Sequence, residues 1–280
     1  MGKSMECNMK VRVISADSRP VEGNVFVDIF RYRALIKNLV MRDLRLKYRD
    51  ALLGFVWSLV LPLFTILVYY VAFDIILKIG FPNFIVFLVV GLLSWNFFAA
   101  SAMSSTTAIV GNSSLMRKIA FPWEVLPISY VFFHLIQFVV AMVVFFPVML
   151  VLSSIRPAWE MLFLIPLLSM HVLFTIGVAL ALSVAATLWR DFRHLTEMLL
   201  PLLFWMTPIV YPWERAPAPV QTFFHVNPLA AYAIAYQDIL FRGHLPTPVV
   251  SWTMMVWTVV SMLAGYALFR RYYTRLVEEL

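Results

Sequence analysis

The chain has 280 residues, of which 62% are hydrophobic and 13% charged, about half the charge of an ordinary soluble domain. So little polar surface excludes a soluble globular enzyme, which would aggregate at this composition. The net charge of +7 is explained by where the cations fall along the chain, not by nucleic-acid binding.

Residues 1–27 read as a flexible tail of mixed charge and polarity. They have no apolar core of a secretory signal, and Glu6 breaks the myristoylation pattern. Cys7, the single cysteine, excludes an internal disulfide.

Residues 28–49 come next. Tyr32, Leu35, Ile36, Leu39 and Val40 repeat at helical spacing, with Arg33, Lys37, Arg42, Arg45, Lys47 and Arg49 among them. This pattern predicts a basic amphipathic helix lying in the membrane interface.

Charge then vanishes repeatedly. No Asp, Glu, Lys or Arg occurs in Ala51–Phe73, Ile79–Met116, Val125–Ile155, Met161–Trp189 or Gly243–Phe269, and a shorter stretch runs Met198–Trp213. A helix of ~20 apolar residues crosses the hydrocarbon core. The expected fold is therefore an all-α integral membrane protein of six transmembrane helices. Span one covers roughly Phe55–Leu77, span two Phe84–Val110, span three Val125–Leu152, span four Leu162–Leu188 and span six Val249–Phe269. Span five begins near Leu195 and ends around Tyr211.

Eleven of the 22 Lys and Arg residues precede Asp50. Arg117, Lys118, Arg190, Arg193, Arg270, Arg271 and Arg275 bring the total to eighteen when both termini are cytoplasmic. The positive-inside rule selects that topology.

Two connecting regions stand out. In residues 111–124, Asn112, Ser113 or Ser114 can cap a brief helix, and Pro122 ends it. Leu115, Met116 and Phe121 offer apolar knobs there, and Arg117 and Lys118 offer charge. A simple connecting loop whose basic pair fixes orientation is the alternative. Residues 213–248 carry too many apolar groups between Pro217, Pro219, Pro228, Pro246 and Pro248 for a solvated loop. They read as two short re-entrant helices, tolerated where protein or water covers them.

Chemistry-bearing motifs are sparse. Gly-x-Ser-x-Gly, His-Glu-x-x-His and Cys-x-x-Cys patterns are missing, and Gly2-Lys3-Ser4 lacks the glycine and strand of a phosphate loop. Neither a metal site nor a cofactor site is expected on this chain. His134, Gln137 and His171 lie within spans. They are candidates for function, yet neutral side chains that bond between helices explain them better. The lack of an accompanying carboxylate at depth argues against a proton- or sodium-coupled carrier. Aromatic residues reach 16%. Many belong to interfacial belts or core packing, and a subset facing a pore can stack on sugar faces.

Four segments carry a resemblance. Met41–Arg49 with Leu53–Pro62 resembles the opening of ABC-type polysaccharide export permeases. Arg117–Pro122, with Glu124 and Pro127, is similar to that family's coupling helix and its lead into span three. Trp189–Phe192 resembles its second cytoplasmic turn. Asn227–Leu229, with Tyr236–Leu240 and Gly243, resembles its extracytoplasmic gate. The resemblance covers about residues 28–275.

It implies a homodimer joined to two ATP-binding-cassette subunits, with ATP and Mg on those partners, in a bacterial inner membrane. It also implies a lipid-linked polysaccharide as cargo. The residues implied for ATPase coupling are Arg45, Arg49, Asn112, Leu115, Met116, Arg117, Lys118, Phe121, Arg190 and Asp191. Those implied for the channel are Trp57, Tyr69, Tyr70, Phe204, Trp205 and Tyr211, and for the gate Phe223, Phe224, Asn227, Tyr236 and Asp238. A drug or lipid exporter of the same superfamily is the alternative, and a membrane glycosyl- or acyltransferase is a third. The third requires an acidic or His cluster that Glu124, Asp191 and Glu197 do not form by spacing.

Overall fold

A computed structural model of the chain describes residues 31–49, 57–78, 81–118, 121–152 and 159–278. The expected tail at 1–27 and the connections at 50–56, 79–80, 119–120 and 153–158 lie outside them. All regular elements among the described residues are helical, as hydrocarbon demands of a chain whose backbone must satisfy its own hydrogen bonds.

Helix α1 covers Arg33–Tyr48. Helix α2, Trp57–Tyr70, contains Pro62 and continues as a π-helical segment over Val71–Ile76. Helix α3 is Phe84–Ser105. A 3-10 turn at Val110–Asn112 leads into the single-turn α4, Ser113–Met116. Helix α5 spans Val125–Leu152, as the charge-free stretch predicts. Helix α6, Leu164–Leu188, follows a 3-10 turn at Trp159–Phe163. Helix α7 is Asp191–Trp205. The short helices α8, Ala218–Val226, and α9, Pro228–Gln237, follow, and α9 runs on into a π-helical segment, Asp238–Arg242. Helix α10, Pro248–Glu278, closes the bundle.

Five helical runs among the described residues are long and apolar enough to cross a membrane: Leu59–Ile76, Phe84–Ser105, Val125–Pro147, Trp159–Leu188 and Pro248–Leu276. Helix α7 is different. Its 15 residues rise about 22 Å at 1.5 Å each, short of the ~30 Å hydrocarbon core. Pro208 explains the stop: it has no N–H to donate and pushes Thr207 away from helical geometry.

The helices are not equivalent in the bundle. The α3 span is 72% buried and the α2 span only 6%, so α3 is the hub and α2 an outer stave. Helices α6 and α10 cross where Gly177 faces Gly265. A Cβ on either glycine would collide with the other helix's backbone, so the crossing depends on small residues, as tight membrane helix pairs do.

Helix α1 buries Ile36, Leu39 and Val40 against α5. The amphipathic reading of residues 28–49 thus identifies the packed stripe. Its opposite side exposes Arg45 and Leu46.

Candidate functional site

Three features define the site: a charged end of the bundle, an aromatic-walled cavity, and a buried pair of short helices.

At the charged end, Asn112 does not cap α4 with its side chain. It is buried, donates from Nδ2 to the Ala108 carbonyl at 2.8 Å, and accepts at Oδ1 from Arg42 Nη2 at 3.0 Å. The amphipathic helix is therefore bonded directly to the segment ahead of α4. Arg117 and Lys118, just past α4, are exposed, and Leu115 is half-buried; Arg45, Arg190 and Asp191 are exposed on their own elements. Arg49 is also exposed, just beyond the end of α1. Met116 and Phe121 correct the expectation of apolar knobs. Both are 4% exposed and belong to the bundle core, because an apolar side chain next to the bundle is better covered by it than left in water. Val110, 53% exposed, is the apolar group that this face presents.

The cavity lies between α2, α3 and α7. It encloses about 400 Å³, and its lining includes Thr65, Tyr69, Trp95, Asn96, Glu197 and Trp205. The Tyr69 ring stacks on Phe204 at 5.7 Å and meets Trp205 edge-on at 6.4 Å. Trp95 meets Phe204 edge-on at 5.6 Å. Three of the aromatics expected in the channel thus come together. Tyr211 joins from the far side of Pro208, its hydroxyl donating to the Trp205 carbonyl at 2.7 Å. Tyr70 is half-buried on α2 and makes no ring contact in this cluster, and Trp57 stands in the first turn of α2. Trp95, Asn96 and Glu197 are not among the residues the sequence assigns to the channel. Asn96 is the one amide in the α3 stretch, and Glu197 borders a charge-free run; those were the available signals.

The short helices support the broken end of α7. Residues 206–212 are non-helical, yet Thr207, Ile209 and Val210 are buried, so the carbonyls freed along this stretch need partners. Asn227 Nδ2 donates to the Met206 carbonyl at 3.3 Å, and Gln237 Nε2 donates to the Pro208 carbonyl at 3.0 Å. Asn227 also accepts at Oδ1 from the Leu229 N–H at 3.0 Å, capping α9 ahead of Pro228. The end of α8 is held by α10: Thr253 donates to the His225 carbonyl at 2.6 Å and Trp257 Nε1 to the Val226 carbonyl at 2.9 Å.

Of the residues expected at a gate, Phe223 is 42% exposed, while Phe224, Tyr236 and Asp238 are each 2% exposed. Helix α9 is thus a central packing element. His171 stacks on Tyr232 at 4.5 Å, and Tyr232 bonds Thr258 at 2.6 Å, which supports a packing role for His171. Arg242 donates to Asp238 at 2.8 Å and pairs with Glu214. Burial raises the Asp238 carboxyl above its ordinary 3.8, with Arg242 opposing the shift.

Metal-binding groups of three or more His, Cys, Asp or Glu are absent among the described residues.

These features define a polytopic all-helical membrane protein with an exposed charged end and an aromatic-walled cavity. The family model described as ABC-2 type transporter matches residues 34–241, and the chain belongs to that family. Similar proteins include the O-antigen export system permease protein RfbA of Klebsiella pneumoniae, 30% identical over 250 residues, covering 88% of this chain and 95% of the relative. RfbA of Myxococcus xanthus is 30% identical over 247 residues, covering 86% and 94%. The polysialic acid transport protein KpsM of Escherichia coli is 22% identical over 244 residues, covering 85% and 93%.

Proposed function

We propose that this chain is the permease subunit of an ATP-driven exporter that moves lipid-linked polysaccharide across the bacterial inner membrane. The aromatic cavity between α2 and α7 is the observation that carries this reading. Rings of Tyr69, Phe204 and Trp205 offer flat apolar faces to sugar C–H groups, while Asn96, Thr65 and Glu197 offer polar contacts for hydroxyls. Such a wall holds a chain by many weak contacts and lets it slide.

Two copies complete the path. Leu61, Phe64, Leu67 and Val68 on α2 and Met198, Leu202 and Trp205 on α7 are exposed in the single chain. A second copy covers these faces and closes the cavity into a conduit. The topology has six crossings with both termini cytoplasmic; α7 and residues 206–212 together make the fifth. Helices α8 and α9 form the outer gate region, with Phe223 and Phe224, Asn227, Tyr236 and Asp238 holding its shape.

Energy comes from two ATP-binding-cassette subunits that hold ATP and Mg. They contact α4 and the α6–α7 turn through Arg117, Lys118, Arg190 and Asp191, with Arg45 and Arg49 beside them. Arg42–Asn112 passes the movement to α1. The test is surface glycan display in cells in which this chain is the only permease of its system. Loss of display with intracellular glycan accumulating supports export; unchanged display on deletion of the chain overturns it.

A further inference from the structure

A second cavity, of about 450 Å³, lies between α1 and the three helices α2, α3 and α5. Its lining divides by chemistry. Leu61, Leu93, Phe97, Phe138 and Ala141 are among its apolar lining, and Lys47, Asn96, His134 and Gln137 among its polar lining. Lys47 is exposed on its rim, so the cavity is reached from the bundle's outer surface.

The polar side chains form a directed chain. Lys47 Nζ donates to Gln137 Oε1 at 2.5 Å. Gln137 Nε2 lies 3.4 Å from His134 Nδ1, and His134 Nε2 lies 2.8 Å from Ser104 Oγ. With Gln137 donating to Nδ1, the imidazole is neutral and carries its proton on Nε2, donating to Ser104. Every polar group in this chain is thereby spoken for except at its start. An ammonium has three N–H donors, and Gln137 takes one. Among the described residues no carboxylate pairs with Lys47, and its other partners are the rings of Phe133 and Tyr48 at 5.5 and 5.8 Å. Partial burial at the rim lowers the Lys47 ammonium below its ordinary 10.5. The Asn96 side chain likewise has no hydrogen-bond partner among the described residues.

We infer that this cavity holds the phosphate head group of an anionic lipid, with the Lys47 ammonium on the phosphate and the lipid chain along Leu61, Leu93 and Phe138. The chemistry selects phosphate lipid over other occupants. A lone cation with spare donors wants an anion, the apolar wall wants a hydrocarbon chain, and α1 sits at the membrane interface where phosphates lie. A carbohydrate alone leaves the charge unanswered, and a soluble anion leaves the apolar wall bare. Asn96 and Thr65 line this cavity and the aromatic one alike. A bulk phospholipid and a polyisoprenyl phosphate both carry the required head group, and the test separates them.

The full-length chain is purified in detergent and its retained lipids are weighed by native mass spectrometry after loading with phosphatidylglycerol, polyisoprenyl phosphate or phosphatidylcholine. The zwitterionic head group of phosphatidylcholine brings its own cation. The wild type is expected to retain at least one anionic phosphate lipid about tenfold better than phosphatidylcholine, the factor one charge-assisted hydrogen bond supplies. Preference for phosphatidylglycerol identifies a bulk lipid, and preference for polyisoprenyl phosphate identifies a carrier; each supports the site. Lys47→Gln abolishes the preference and Lys47→Arg keeps it. Should Lys47→Gln fail to purify, Gln137→Met removes only the acceptor that aims the ammonium and lowers retention about threefold. Equal retention of the anionic lipid and phosphatidylcholine by the wild type overturns the inference. So does an unchanged preference in either neutral variant, or displacement of the lipid by millimolar inorganic phosphate.

Discussion

Arg42 and Asn112 are 70 residues apart in sequence and joined by a 3.0 Å hydrogen bond. The guanidinium lies on the amphipathic helix, and the buried amide precedes the one-turn helix α4. The two elements are thereby tied by a charge-assisted bond, which is stronger than a neutral one. Arg42→Ala strands the amide oxygen of Asn112 and is expected to cost about 1–2 kcal/mol of stability. Thermal unfolding of the purified chain measures that loss. On the proposed coupling role, export falls further than membrane abundance does.

Arg117 and Lys118 are exposed just past the end of α4. Replacing both by Glu reverses the local charge without opening a cavity. The expected outcome is normal insertion and abundance, with ATPase turnover no longer linked to glycan display. Equal display by variant and wild type at matched abundance removes these residues from the coupling surface.

Tyr69 and Trp205 wall the aromatic cavity from α2 and α7. Each ring pair contributes about 0.5–1.5 kcal/mol beyond burial, so Tyr69→Ala and Trp205→Ala are tolerable to the fold. On the proposed channel role, long glycans make many successive contacts with the wall and short ones few. Both variants are expected to shorten the displayed chain-length distribution, read on a glycan gel against blotted abundance.

Gly265 packs on the backbone of Gly177. Gly265→Leu forces α6 and α10 apart and is expected to abolish accumulation of folded chain. Gly111→Ala is the control, since a Cβ there meets nothing within 4 Å. Fluorescence-detected size exclusion of tagged variants separates the two outcomes.

Asp238 provides a pH-dependent test. Burial raises its pKa above 3.8, against the pull of Arg242. The native state then keeps the proton to higher pH than the unfolded chain. This carboxyl's contribution to stability is thus fully present below 3.8 and declines as pH rises through the raised value. Arg242→Gln removes the opposing cation and raises the native value further. The variant is expected to lose about 3 kcal/mol near neutrality. The loss grows as pH rises through the raised value, and adding Asp238→Asn recovers part of it. Melting midpoints across that range decide the matter.

The membrane fold was legible because charge exclusion is a local signal: hydrocarbon penalises each ionised residue wherever it falls. Span three appears as Val125–Leu152 for that reason. The shortness of α7 was foreshadowed by Pro208, but the rescue of its broken end was not. Asn227 and Gln237 reach its carbonyls from 21 and 29 residues away, and helices apolar all round carry no stripe that names their neighbours. The same blindness hid the inward turn of Met116 and Phe121. Tyr69, Phe204 and Trp205 could be picked as aromatics, but only packing shows that they meet while Tyr70 stands apart.

Reconstitution tests the division of labour most directly. The chain is placed in proteoliposomes with its ATP-binding-cassette partner, and movement of a labelled lipid-linked glycan is followed. Translocation is predicted to require both the partner and hydrolysable ATP, and to collapse when Arg117 and Lys118 are both Glu. Nucleotide hydrolysis by this chain alone, or translocation driven by an ion gradient without ATP, contradicts it.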